Sequence, residues 1–379
     1  MRFLYPFLAG LVCACLAVAG TRTGARAETE VFPVGLLMAV SGPAADNNWA
    51  AICGARLAVV QLNGQGGILG RPVHMVMLDN ASTPLGSRNA ARRAVEAGVK
   101  AVIGASWSSH SLAAAPILQQ AGIPMISPGS THPDLTAMGD AIFRVCFTDE
   151  FQSRVMAEFA RKTLKADTAA VLTLLEEDYS LALSRLFMED FTALGGEIVF
   201  TDGYKVRDVD FTSQLDAIKQ IQPDVVYVPG YSHDVGLITR QARTMGVDTL
   251  WLSGDGSLDS SNGYSDSAPL YASTHWNQNA KDEISQAFVL AYRKAYPDLS
   301  TVTADAALAY DAVMVLAQAV ERAGSDDPGA IRQALASTKD FQGVTGTITL
   351  DSQGDPIRKK AYILYRNNGQ HQLHSVVEP

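Results

Sequence analysis

Residues 101–131 read AVIGASWSSHSLAAAPILQQAGIPMISPGST. A short apolar run from Ala101 to Ile103 leads through a Gly/Ser-rich turn into a stretch of helical period, Ser109 to Gln120. A second apolar run follows from Pro124 to Ile126. Short apolar runs alternating with helical stretches are the pattern of βαβ units and a parallel sheet. Both runs end in small hydroxyl and glycine residues: Ser106, Ser108 and Ser109 after the first, Ser127-Pro128-Gly129-Ser130-Thr131 after the second. In open α/β sheets ligands bind beyond the carboxyl ends of the strands, so a site is expected at these turns. They offer hydroxyls and free backbone N–H groups at helix N-termini, which suits an anion such as a carboxylate. Ordinary N-capping is the competing role for any single serine.

The same alternation extends in both directions. Upstream, strands are predicted at Val34 to Val40 and Val73 to Leu78, with helices at Trp49 to Gln61 and Leu85 to Ala97. A second series after Arg144 predicts helices over Phe151–Thr163, Leu181–Leu194, Phe211–Ile221 and Val235–Met245. Its strands are expected at Ala169–Leu175, Glu197–Thr201, Val225–Val228 and Leu250–Leu252. Two successive doubly wound units are implied. After a loop rich in Gly, Ser and Asp come helices at Asp282–Tyr296, Ala304–Ala323 and Pro328–Ala336, and strands at Thr345–Leu350 and Ala361–Tyr365. These helices lack strands of their own and are expected to pack back on the first unit, so the chain crosses between units more than once. In the second series the strand ends carry Glu176-Glu177-Asp178-Tyr179, Gly230-Tyr231 and Gly254-Asp255-Gly256. Tyrosines supply an apolar wall with a polar tip, and a lone acid could meet a cation.

Arg2, the apolar run Phe3 to Ala19 and the triplet Ala25-Arg26-Ala27 read as a secretory signal over residues 1–27, which implies export to the periplasm. Lipidation at Cys15 is the rival, but the apolar run continues past that residue, which favours the later cleavage. Removing 1–27 takes away Arg2, Arg22 and Arg26 and no acid, moving the formal charge from −9 to −12. An acidic surface of that kind excludes nucleic acid and anionic lipid as expected partners. Cys53 and Cys146 remain; pairing in an oxidising compartment and two buried thiols are both open.

Three motifs invite other chemistry. Gly64-Gln65-Gly66-Gly67 follows a helix and leads into a strand, the reverse of a dinucleotide fingerprint, and reads as a helix-terminating turn. Gly104-Ala105-Ser106-Trp107-Ser108 is one glycine short of a nucleophile elbow, so a hydrolase using Ser106 or Ser108 has little support. The histidines at 74, 110, 132, 233, 275, 371 and 374 form no zinc spacing, and no metal or cofactor is expected.

The chain resembles the periplasmic leucine/isoleucine/valine-binding proteins, the amino-acid-binding components of branched-chain-type ABC importers. The resemblance is carried by Ser41-Gly42-Pro43, Gly54-Ala55, Asn63 through Gly70, Ile126-Ser127-Pro128-Gly129 with Pro133-Asp134-Leu135-Thr136, Arg240-Gln241-Ala242-Arg243 with Gly246, and Tyr310-Asp311-Ala312. It covers nearly the whole chain after the signal. It implies a type 1 periplasmic binding fold: two Rossmann-like lobes joined by a three-stranded hinge, lobe 1 being 28–147 plus 277–350 and lobe 2 being 148–276 plus 351–379.

The resemblance also implies a site. The ligand's α-carboxylate would be held by Ser108 and Thr131. Its ammonium would be held by the carbonyl at Gly129, by Thr131 and by Asp255, with Tyr179 and Tyr231 closing over the ligand. Asn47 stands where an aromatic is usual, and Trp107 where some relatives carry a cysteine, so the side-chain class stays open between branched-chain, polar and aromatic. The expected protein is a monomer that captures an amino acid without chemistry, closes around it and delivers it to a membrane permease. The rivals are an amide, urea or aromatic-acid binder on the same scaffold, and a sensor subunit.

Overall fold

The computed structural model describes residues 30–258, 266–299, 301–368 and 370–379; the expected signal segment and Cys15 fall outside them. The first lobe runs β1 (Phe32–Met38), α1 (Ala45–Gly64), β2 (Val73–Asp79), α2 (Pro84–Glu96), β3 (Ala101–Gly104), α3 (Ser108–Ala121), β4 (Met125–Ser127), α4 (Asp134–Ala137) and β5 (Ile142–Arg144). Its five strands are all parallel, in the order β2-β1-β3-β4-β5. β3 and β4 are buried along their whole length, as expected of strands covered by helices on both faces, which is why they read as plain apolar runs.

The second lobe runs α5 (Asp149–Glu158), β6 (Thr168–Leu174), α6 (Asp178–Ala193), β7 (Glu197–Tyr204), α7 (Thr212–Ile221), β8 (Val225–Tyr227), α8 (Ser232–Met245), β9 (Leu250–Ser253) and β10 (Leu270–Thr274). The last turn of the helix predicted over 151–163 is a π-helical stretch, Phe159–Thr163. The chain then returns to the first lobe with α9 (Glu283–Ala295), α10 (Ala304–Ala323) and α11 (Pro328–Ala336), followed by β11 (Phe341–Gly343), β12 (Gly346–Leu350) and β13 (Pro356–Ile357). It ends in the second lobe with β14 (Ala361–Asn367) and β15 (Gln370–Val377). The second sheet has the order β15-β14-β10-β9-β8-β6-β7, with β14 antiparallel to both its neighbours, β10 and β15.

As expected, the late helices pack on the first lobe. α10 lies along α1, and a Cβ on Gly54 would strike the Ala306 carbonyl, so only glycine permits that approach. Tyr292 and Phe288 of α9 pack around Cys53 and Leu57. Cys53 and Cys146 are both buried free thiols, so the pairing alternative is not realised. Gln65 ends α1 and positive-φ Gly66 and Gly67 follow, the turn the sequence implies.

Three connections join the lobes: after β5, after β10 and after β13. The third follows Ile357 rather than Leu350, because β13 pairs with β12 and Gly354 accepts from the Arg144 amide at 3.1 Å. The expected passage at 350/351 therefore cuts through this small sheet. The connections pack together: the Phe147 and His275 rings lie 3.6 Å apart between centroids, tilted by 35°, and buried Lys359 donates to Thr345 O and Oγ1 at 2.9 and 2.6 Å. Asp311, from the Tyr310-Asp311-Ala312 motif, accepts from the Val344 and Thr345 amides at 2.7 and 2.8 Å and fixes the same junction. Among the described residues no helix is long and apolar enough to cross a membrane.

Candidate functional site

The two hydroxyl-rich turns sit side by side at the carboxyl edge of the first sheet, and most of their serines bind each other. Ser127 Oγ donates to Ala105 O at 2.7 Å and receives the Ser130 amide at 3.0 Å, while Ser111 and Ser130 hydroxyls lie 2.6 Å apart. These serines lock turn to turn. Behind them Arg144, fully buried, donates to Ser130 O at 2.9 Å and to Asp355 Oδ1 at 2.6 Å. What the network leaves facing the cleft is Ser106, Ser108, Gly129 and, just behind, Thr131. The Ser108 hydroxyl accepts from the His132 amide at 3.3 Å. Thr131 Oγ1 is buried with no hydrogen-bond partner at standard geometry.

Asp255 faces them from the second lobe, on the short turn after β9. Its Oδ1 accepts from the Tyr179 hydroxyl and its Oδ2 from His275 Nε2, both at 2.9 Å, and its amide donates to Gln152 Oε1 at 2.9 Å. Burial pushes this carboxyl up, but hydrogen bonding and charge attraction from His275, with hydrogen bonds from Gln152 and Tyr179, outweigh it, so the group stays below its ordinary value and ionised. Burial lowers His275 in turn, against the opposing pull of the Asp255 carboxylate. His275 Nε2 thus faces the Asp255 carboxylate directly. A Cβ on Gly254 would collide with the Tyr179 hydroxyl, so the glycine before Asp255 admits this ring.

Two cavities adjoin. The inner, about 30 Å³, is lined by Ser106, Trp107, Ser108, Gly129, Tyr179, Tyr231, Asp255, Gly256 and Asp305. The outer, about 360 Å³, has Asn47, Asp46, Glu177, Arg207, His233 and Asp234 on its walls. Trp107 and Tyr231 border both, stacked face to face across the cleft at 3.7 Å between centroids, with Tyr179 beyond Tyr231 at 5.5 Å. Further bonds span the lobes: Asn47 Nδ2 donates to Ser232 Oγ at 3.2 Å and Ser109 Oγ to Glu177 Oε2 at 2.7 Å. Burial pushes Glu177 up to about 7 and Asp234 up to about 6.

Of the residues singled out from sequence, Ser108, Gly129, Trp107, Tyr179, Tyr231 and Asp255 come together on the inner cavity. Asn47 sits on the outer one, and Thr131 lies behind the inner wall with Asp149, whose carboxyl burial pushes up to about 7 against the adjacent Thr131 hydroxyl. Sequence reading missed Asp305, His275 and Gln152. His275 follows β10, a strand that was not expected in the Gly/Ser/Asp-rich region. Asp305 looks like an ordinary acid at a helix start.

A family model described as periplasmic binding protein matches residues 32–370. A Leu/Ile/Val-binding protein homologue of Brucella melitensis is 32% identical over 90% of this chain and 92% of its own length. A solved leucine-binding protein from Thermotoga maritima is 35% identical, with a TM-score of 0.87 over 92% of this chain and 99% of that one. The substrate-binding protein of a branched-chain amino acid transporter from Streptococcus pneumoniae, solved with isoleucine, is 32% identical, with a TM-score of 0.84 over 92% of this chain and all of that one.

Proposed function

Since this chain belongs to the periplasmic binding protein family, among the Leu/Ile/Val-binding proteins, we propose that it is the extracytoplasmic, substrate-capturing component of an ABC importer and binds a zwitterionic amino acid between its lobes. The observation that carries the reading is the pairing of opposites across the inner cavity. An ionised, buried Asp255 on one side faces hydroxyls and turn amides on the other. A carboxylate fits the Ser108 and Thr131 hydroxyls, and an ammonium fits Asp255 and the turn carbonyls at Gly129. Tyr179 and Tyr231 enclose the head group, and the side chain extends past Trp107 toward Asn47. The inner cavity is far smaller than an amino acid, so entry requires the Trp107–Tyr231 stack to part by hinge opening at the three connections. No bond is made or broken; a monomer closes, and the closed form docks on a membrane permease.

The test is the thermal midpoint of ligand-stripped protein against the standard amino acids, urea, short amides and aromatic acids. Ligand at about 100 times its Kd adds about 2.7 kcal/mol. A shift with a subset of amino acids is expected. Silence from all of them with a response to an amide or aromatic acid would overturn the head-group assignment.

A further inference from the structure

We propose that Asp305 completes the ammonium site from the first lobe, so that the ligand's cationic nitrogen is held between two carboxylates of opposite lobes, Asp305 and Asp255, and closure depends on that cation. The inference rests on the amino-acid reading of the cleft and extends it to a residue outside the head-group pattern.

Asp305 is the second residue of α10, and its carboxyl accepts from its own amide and from the Thr303 hydroxyl at the helix start. Thr303 is the N-cap and its hydroxyl receives the Ala306 amide at 3.5 Å. Asp305 also lines the inner cavity with Asp255 and Gly256. Among the described residues no Lys, Arg or His forms an ion pair with it. The groups that face it are anionic or neutral: Asp255 on the turn after β9, Tyr179 of α6, Tyr231 before α8 and Tyr292 of α9. Burial, with the Asp255 charge added, pushes its carboxyl up to about 7.

Two carboxylates on opposite walls of a narrow, partly buried cavity repel unless one is protonated or a cation lies between them. A primary ammonium has three N–H donors, and Asp255, Asp305 and a carbonyl of the 127–131 turn are three acceptors. The ligand's nitrogen then removes the repulsion that opposes closure of the unliganded protein, and its arrival displaces a proton from Asp305 near neutral pH.

The experiment is calorimetric titration of the strongest amino acid ligand into wild type and Asp305→Asn, at about pH 6 and about pH 8, in buffers of different ionisation enthalpy. Wild type should release a proton on binding, with affinity falling by up to about tenfold per pH unit below about pH 7. Asp149, Glu177 and Asp234 titrate in the same range, so the difference between the two proteins is what is read. The variant should lose most of the pH slope and proton release and should bind more weakly at about pH 8. Asp305→Ser serves if the first variant melts abnormally. A variant that melts normally and keeps the wild-type slope and proton release overturns the role of Asp305 while leaving the amino-acid reading intact. A wild-type protein that binds no amino acid overturns both.

Discussion

Replacing Asp255 tests the electrostatic centre of the site most directly. Its side chain is 13% exposed, and both oxygens already accept hydrogen bonds at 2.9 Å, from Tyr179 and His275. An ammonium would be a further cation for this carboxylate on binding. Removing one partner of a buried, hydrogen-bonded charge pair costs about 2 to 5 kcal/mol, most of it from the charge left stranded. The residual exposure lets water reach the nitrogen, which argues for the lower part of that range, about 2 to 4 kcal/mol. At about 1.4 kcal/mol per decade this is about 30- to 700-fold in Kd. Asp255→Ala also strands the Tyr179 hydroxyl and His275 Nε2, so it should lower the thermal midpoint as well. Asp255→Asn keeps the shape and one acceptor and should lose affinity with a smaller change in midpoint. Calorimetry on ligand-stripped protein gives Kd, and stopped-flow release should place the loss in the dissociation rate. An Asn variant that binds as tightly as wild type, with an unshifted midpoint, would show that no ammonium meets this carboxylate.

Thr131→Val removes a buried hydroxyl that sits against the Asp149 carboxyl and keeps the side chain's shape; affinity should fall by about 1.5 to 3 kcal/mol while the ligand-free thermal midpoint changes little. A midpoint that falls with affinity unchanged would make the hydroxyl structural. Arg144→Leu strands Asp355 and the Ser130 carbonyl in a buried setting and should cost about 3 to 5 kcal/mol in denaturant unfolding, with loss of binding because the 127–131 turn is no longer held; a variant within about 0.5 kcal/mol of wild type would refute that. The raised carboxyls of Asp149, Glu177, Asp234 and Asp305 bind more protons folded than unfolded between about pH 4 and about pH 7. Their contribution is fully present below their unfolded pKa near 4 and is lost as pH rises through 6 to 7. Asp79, Asp140, Asp224 and Asp326 are held low and lose their contribution only at more acid pH. Buried His110, His132, His275 and His371 are held low and lose stability as pH falls through the same range, so the carboxyl effect is read against Glu177→Gln: the wild-type midpoint relative to that variant should be higher near pH 5 than near pH 8, and a difference that rises across that range would contradict the assignment.

The parallel strands were legible because burial on both faces leaves an unbroken apolar run, as in β3 and β4. Edge elements were not. β15 reads Gln370-His371-Gln372-Leu373-His374-Ser375-Val376-Val377, polar and half-exposed, and it is a strand because β14 supplies its hydrogen bonds. β10 is parallel to β9 but follows a Gly/Ser/Asp-rich stretch that carries no periodicity, so His275 at its end could not be placed. The small sheet was misjudged for a similar reason: β13 has two residues, and its pairing with β12 is a tertiary fact.

In the site, hydroxyl-rich turns announce themselves in sequence, but which hydroxyls are spent on the fold does not. Ser111, Ser127 and Ser130 look the same as Ser108 and Thr131 until the contacts are drawn, and only then does the first set prove to tie one turn to the other. The second set is left facing the cleft or just behind it. The charge of Asp255 depends likewise on groups from distant parts of the chain. Tyr179 comes from α6, Gln152 from α5 and His275 from the second connection between lobes. Without the Tyr179 and His275 donors to its oxygens, and Gln152 beside it, a buried carboxyl in this position would take up a proton, as Asp149 and Asp305 tend to do, and could not serve as a counter-ion. The sequence can nominate an acid between two glycines, whereas its ionisation, and hence its capacity to discriminate an amino acid from a simple carboxylate, is a property of the assembled cleft.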